Sequence, residues 1–226
     1  AAQGRVDEAL ALAEESDWGI NDYSDGSRMA FCERILLAAG RREEAYARYC
    51  FAGTGLTNNT TIYRRVLEKY PEKEPRSVLL HIMGKVKGKW FAAAKDAGFL
   101  DIALECAEHP AADPTTLTRA ARDFVQSEPG FALRVAFAAV RGLLQGSGYD
   151  PKNGDMYRTY HYGMTAAAKL EKQAEFEQSL KDLARAGATE DRRMMLGALW
   201  HCLKRGPADI ANTVAIIDMR PPRRGK

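Results

Sequence analysis

The sequence predicts an all-α chain of about 12–13 helices, stacked as antiparallel helix pairs into an α-α superhelix. Three observations predict it. The stretch Ala38 to Phe51, AAGRREEAYARYCF, ends one helix at Gly40 and opens the next almost at once with the apolar face Ala45, Tyr46, Tyr49 and Cys50; the phrase recurs as Gly4–Leu10 and, more loosely, as Gly98–Leu104. Apolar residues recur at three- and four-residue intervals along nearly the whole chain, the helical period. Nowhere does period-two alternation run between hairpin turn signals long enough to make a strand.

A chain of 226 residues can form one large domain or two small ones, and as one unit it would bury roughly 70–75% of its unfolded surface. With 46% apolar and 28% charged residues it has the composition of a folded globular protein rather than a disordered one. Its 33 basic residues against 30 acidic ones fall short of the footprint of a dedicated nucleic-acid binder. What basic bias exists is gathered at Lys85, Lys87 and Lys89 and in the tail Arg220, Arg223, Arg224 and Lys226.

The elements follow in order. Val6, Ala9, Leu10 and Ala13 give a helix over Arg5–Glu15, followed by a polar turn from Trp18 to Gly26. Ser24 or Asp25 caps a second helix, which presents Met29, Cys32, Ile35, Leu36 and Ala39 and stops at Gly40. The third helix ends near Gly53-Thr54-Gly55, and the capping cluster Thr57-Asn58-Asn59-Thr60 starts a fourth that Pro71 terminates. Pro75 stands in the first turn of a fifth, and a sixth runs from Lys89 to Ala97 before Gly98 restarts the phrase.

Asp113-Pro114 is a cap followed by proline and opens an eighth helix; Pro129 opens a ninth that is apolar nearly all round, so it should be covered on more than one side. Gly146 to Gly154 is the one substantial break. Helices then run from Asp155 to Leu170, Lys172 to Ala186, Thr189 to Lys204 and Ala208 to Met219, and 220–226 reads as a disordered basic tail. Residues 1–219 are expected as one helical-repeat domain, with 146–154 as the place where it would divide.

Gly40, Glu43, Glu44, Ala45 and Tyr46 resemble the interhelical turn of tetratricopeptide-type repeats, Gly40 closing the first helix and Ala45 being the small residue on which the second packs. The intervals between the three copies are unequal, and the Trp, Leu, Gly and Tyr positions of the full consensus are missing. Separately, Gly88–Lys95 (GKWFAAAK), Thr118–Phe124 (TRAARDF) and Gln145–Tyr149 (QGSGY) resemble an uncharacterised family of bacterial helical proteins. That resemblance implies a bacterial source and no activity.

Cys32, Cys50, Cys106 and Cys202 are scattered without a CxxC pair, each in an apolar helical pattern, which points to a reducing compartment and the cytoplasm. The richest apolar run, Phe131 to Leu144, is broken by Arg134 and Arg141, so neither a membrane span nor a signal peptide is expected in this chain. The chain lacks an initiator Met and begins at the turn phrase, which implies processing or truncation of a longer protein.

No catalytic, cofactor or metal site is expected. Cys106 and His109 form one close pair, with His81, His201 and Cys202 elsewhere, whereas a structural zinc site shows two close pairs. There is no GxSxG, and Gly84–Trp90 (GKVKGKW) lacks the GxxxxGK[ST] pattern. Asp7-Glu8, Glu43-Glu44 and Glu190-Asp191 lie in first turns, where carboxylates complement the helix dipole.

Two surfaces remain as candidates for binding. Tyr157, Tyr160 and His161 share a helical face, with Arg158 beside them and Tyr149 able to fold back; Tyr and Arg dominate binding hot spots. The same spacing also suits a core stripe. The rival is the basic loop Lys85, Lys87, Lys89 and Trp90, with Arg64, Arg65 and Lys69 near in sequence, which could hold phosphates and stack a base, although Trp90-Phe91 also reads as the start of an amphipathic helix that buries its rings and leaves the lysines as a solvated rim. The expectation is a non-catalytic module that binds another protein or peptide, with nucleic-acid binding as the alternative.

Overall fold

The computed structural model describes residues 2–15, 22–52, 58–86, 89–146 and 151–219. Among them are thirteen α-helices and one 3-10 turn, with no strand. They fall into two compact units, Ala1–Asp96 and Ala97–Lys226. The segment 146–154 lies inside the second unit, and the tail 220–226, Lys87 and Tyr149 are outside the described residues.

The first unit contains α1 (Ala2–Glu15), α2 (Asp22–Ala38), α3 (Arg42–Tyr49), α4 (Asn59–Lys69), α5 (Pro75–Lys85) and α6 (Phe91–Asp96). Gly4 lies within α1 rather than at a turn, and α2 starts at Asp22, ahead of Ser24 and Asp25, so two of the expected helix starts are displaced. Gly40 and Gly98 keep the recurring turn: both take left-handed φ, +73° and +82°, which a side chain would strain. Asn58 caps α4 by accepting from the Thr61 N–H, and Glu74 caps α5 by accepting from the Arg76 and Ser77 N–H groups.

Leu10 and Ala13 of α1, Cys32 and Leu36 of α2, and Ala45 and Tyr49 of α3 bury one another. Over that core, Arg41 pairs with Asp7 and Glu44, while Arg48 pairs with Glu14 and Glu44. Beneath it lies a buried charge. Glu33 takes Lys69 Nζ at 2.6 Å on one oxygen and the Tyr70 hydroxyl at 2.6 Å on the other. Lys69 also donates to the Cys50 and Ala52 carbonyls, 3.1 and 3.0 Å away, so one ammonium joins α2, the end of α3 and α4.

The second unit contains α7 (Leu100–Glu108), α8 (Pro114–Phe124), α9 (Pro129–Gln145), α10 (Asn153–Lys169), α11 (Gln173–Ala186), the 3-10 turn Glu190–Arg192, α12 (Arg193–Arg205) and α13 (Pro207–Met219). Helix α9 packs against α7, α8, α10 and α12, as its apolar circumference requires, and α10 packs against α8, α9, α11, α12 and α13. Asp113 caps α8 through the Thr116 N–H. Thr118 of α8 and Thr159 of α10 meet at 2.6 Å inside the unit, each also within reach of its own i−4 carbonyl.

One glycine sets a close approach. A Cβ on Gly163 would stand 2.6 Å from the Phe176 ring and 3.2 Å from the Ala136 Cβ, so only hydrogen there lets α11 bring Phe176 down between α10 and α9.

Candidate functional site

Helix α10 begins where Asp155 accepts the Lys152 N–H at 2.8 Å, and the Tyr-rich phrase follows. The period that aligns Tyr157, Tyr160 and His161 also aligns Met156, Tyr160, Met164 and Ala167, and that inner line packs into the core. Tyr160 is therefore fully buried and no part of a surface. Among the described residues its hydroxyl has no hydrogen-bond partner, and burial pushes the phenol up to about 12.

The other three residues of the phrase flank this line, half-buried. Tyr157 lies against the His201 ring of α12, centroids 5.7 Å apart. Arg158 donates to Asp218 of α13 at 2.8 Å and stands 3.7 Å from Asp155. His161 neighbours Tyr162, centroids 5.2 Å apart; burial lowers its pKa and the Asp218 charge opposes that. The phrase thus ties α10 to both C-terminal helices while leaving Tyr157, Arg158 and His161 reachable.

Helices α12 and α13 also expose large apolar side chains that the sequence reading did not single out: Met194, Trp200, Ile216 and Met219. Met219 is 82% exposed and Trp200 42%. The signal was present, since Met195, Ala198, Leu199 and Cys202 already complete an inward face on α12 and leave Met194 and Trp200 on the other side.

The basic loop is placed differently. Lys85 and Lys89 are exposed, as are Arg64 and Arg65, but Lys69 is drawn into the Glu33 cluster. Trp90 is buried, its indole N–H donating to the Val86 carbonyl at 2.9 Å, so it has no open face on which a base could stack. The proximity of Lys85 and Trp90 in sequence does not become a shared surface.

Burial raises all four cysteine thiols, Cys50 to about 11 and Cys202 to about 12, which leaves them as protonated hydrophobes rather than thiolates. Among the described residues no group of three or more His, Cys, Asp or Glu side chains is placed to hold a metal ion. His109, with the Cys106 pair in mind, instead accepts the Ala111 N–H on Nδ1 at 3.1 Å. No helix among the described residues is long and apolar enough to cross a membrane.

A cluster of rings and cations also emerges in the first unit. Tyr46 stacks on His81 with centroids 4.8 Å apart, meets Tyr70 edge-on at 5.2 Å, and carries Lys73 over its ring. Residues this far apart in sequence gave no local pattern. No protein-family model matches this chain, and neither a curated protein nor a solved structure matches it.

Proposed function

We propose that the chain is a non-catalytic module that binds another protein, through a surface formed by Tyr157, Arg158 and His161 of α10 with the outer sides of α12 and α13. The observation that carries this reading is the set of exposed apolar side chains Met194, Trp200, Ile216 and Met219 on α12 and α13, the two helices that Tyr157 and Arg158 of α10 contact through His201 and Asp218. Large apolar groups left in water cost free energy, and contiguous apolar patches on folded proteins mark interaction sites, in which Tyr and Arg are enriched. The finer reading is a tetratricopeptide-like helical array, from the Gly40–Ala45 turn, of bacterial origin and working in the cytoplasm, from four unpaired cysteines.

The test is co-purification from bacterial lysate with the whole chain and with the double variant Trp200→Glu, Met219→Glu. Both side chains are exposed, so melting temperature should change little. The reading expects specific partners recovered by the parent chain and lost by the variant. Recovery of the same partners by both would refute the assigned surface.

A further inference from the structure

The second unit has a groove of about 350 Å3 to which α10, α12 and α13 contribute no lining residue. Its floor is apolar: Leu133 and Phe137 of α9, with Phe176 of α11. The two phenylalanine rings meet edge to face, centroids 6.4 Å apart, and Phe176 is seated by the missing side chain of Gly163. The lining is also charged, with Arg134, Arg141 and Lys172 alongside Glu108 and Glu175.

These charges are not evenly matched. Arg134 is paired with Glu108 at 2.6 Å. Arg141 reaches only the Glu108 backbone carbonyl, at 3.1 Å, and Lys172 and Glu175 have no side-chain partner among the described residues. Two cations against one carboxylate remain for a ligand. Glu175 stands in the first turn of α11, where the helix dipole already offsets part of its charge.

The volume stands at the small end of ligand clefts. It has room for one large side chain and the backbone around it. We infer that this groove seats a single large apolar side chain of a partner polypeptide, flanked by carboxylates that Arg141 and Lys172 hold. It extends the protein-binding reading to a second face on other helices, and its test uses none of the residues assigned above.

The probes are three fluorescent heptapeptides, blocked at both ends, titrated into the whole chain at low ionic strength and followed by anisotropy. The first carries Asp-Phe-Asp between Ser and Gly residues, the second replaces both Asp by Lys, and the third replaces Phe by Ala. The first should bind about tenfold more tightly than either of the others, and salt should weaken it. Arg141→Glu with Lys172→Glu should cost about tenfold in its affinity, while Arg185→Glu, an exposed reversal elsewhere on α11, should cost nothing.

Ser179 lines the same groove, so Ser179→Trp should fill it and abolish binding with every charge in place. Thermal melting of each variant shows that it is folded. The inference is overturned if the first two peptides bind alike, if the first and third bind alike, or if none binds. It is equally overturned if folded variants keep full affinity, or if octanoate occupies the groove and the peptides do not.

Discussion

Two residues of α10 show how much a single atom decides. Tyr160 is buried, and among the described residues no backbone or side-chain group hydrogen-bonds its hydroxyl, so the protein offers little to offset desolvation of that oxygen. Tyr160→Phe should therefore stabilise the chain by about 1 kcal/mol, whereas Tyr160→Ala should cost about 3–5 kcal/mol by opening a cavity. Chemical denaturation of the three proteins checks both, and a clear loss with Phe would mean that the hydroxyl does find a partner. At Gly163 two effects oppose. Alanine gains about 0.5–1 kcal/mol of helix propensity, but it meets Phe176 at 2.6 Å, and overpacking costs about 1–3 kcal/mol. Packing should win, leaving Gly163→Ala less stable by about 1 kcal/mol in the same measurement.

At the scale of elements, the Glu33–Lys69 pair holds three helices and differs from the exposed pairs around Arg41 and Arg48. Exposed pairs contribute roughly 0–1 kcal/mol each. Glu33 is 6% exposed, so Lys69→Met would strand a buried carboxylate, an effect of about 3 kcal/mol or more; the double variant Glu33→Leu, Lys69→Met should recover part of it. A double-mutant cycle read by urea denaturation decides this, and equal losses in single and double variants would contradict it.

The stacked His81 makes a pH-dependent case. Burial, and then Lys85 and Lys73, lower its pKa, so the unfolded chain binds its proton more readily. Its contribution is present above about pH 6.5 and is lost as the pH falls through the lower folded value. His81→Phe keeps a ring on Tyr46 and should make melting temperature fall less between pH 7 and about 5; an unchanged slope would remove His81 from the account.

Elements were the most legible level. Proline and cap residues at Asn58, Pro75, Asp113 and Pro129 predicted the starts of four helices within a residue or two, because those signals act through the adjacent backbone. The start of α2 was placed late: Ser24 and Asp25 have the chemistry of caps, but the helix begins at Asp22. The site was less legible. Spacing placed Tyr157, Tyr160 and His161 on one side of α10, but which part of that arc faces inward depends on α9, α12 and α13, and no local pattern encodes those neighbours. The burial of Trp90 follows its amphipathic setting beside Phe91, whereas the Glu33–Lys69 clamp joins residues 36 apart and had no local pattern to show it.

At the scale of the molecule, the chain is an all-α array in which neighbouring helices pack in two compact units. On the proposed reading, contact with a partner falls on the exposed residues of α12 and α13. The most direct test is hydrogen–deuterium exchange of the whole chain with and without a partner recovered from lysate. The account expects slowed exchange in α12 and α13 and around Tyr157–His161 of α10 on binding. Protection confined to the first unit, with α12 and α13 unchanged, would contradict it.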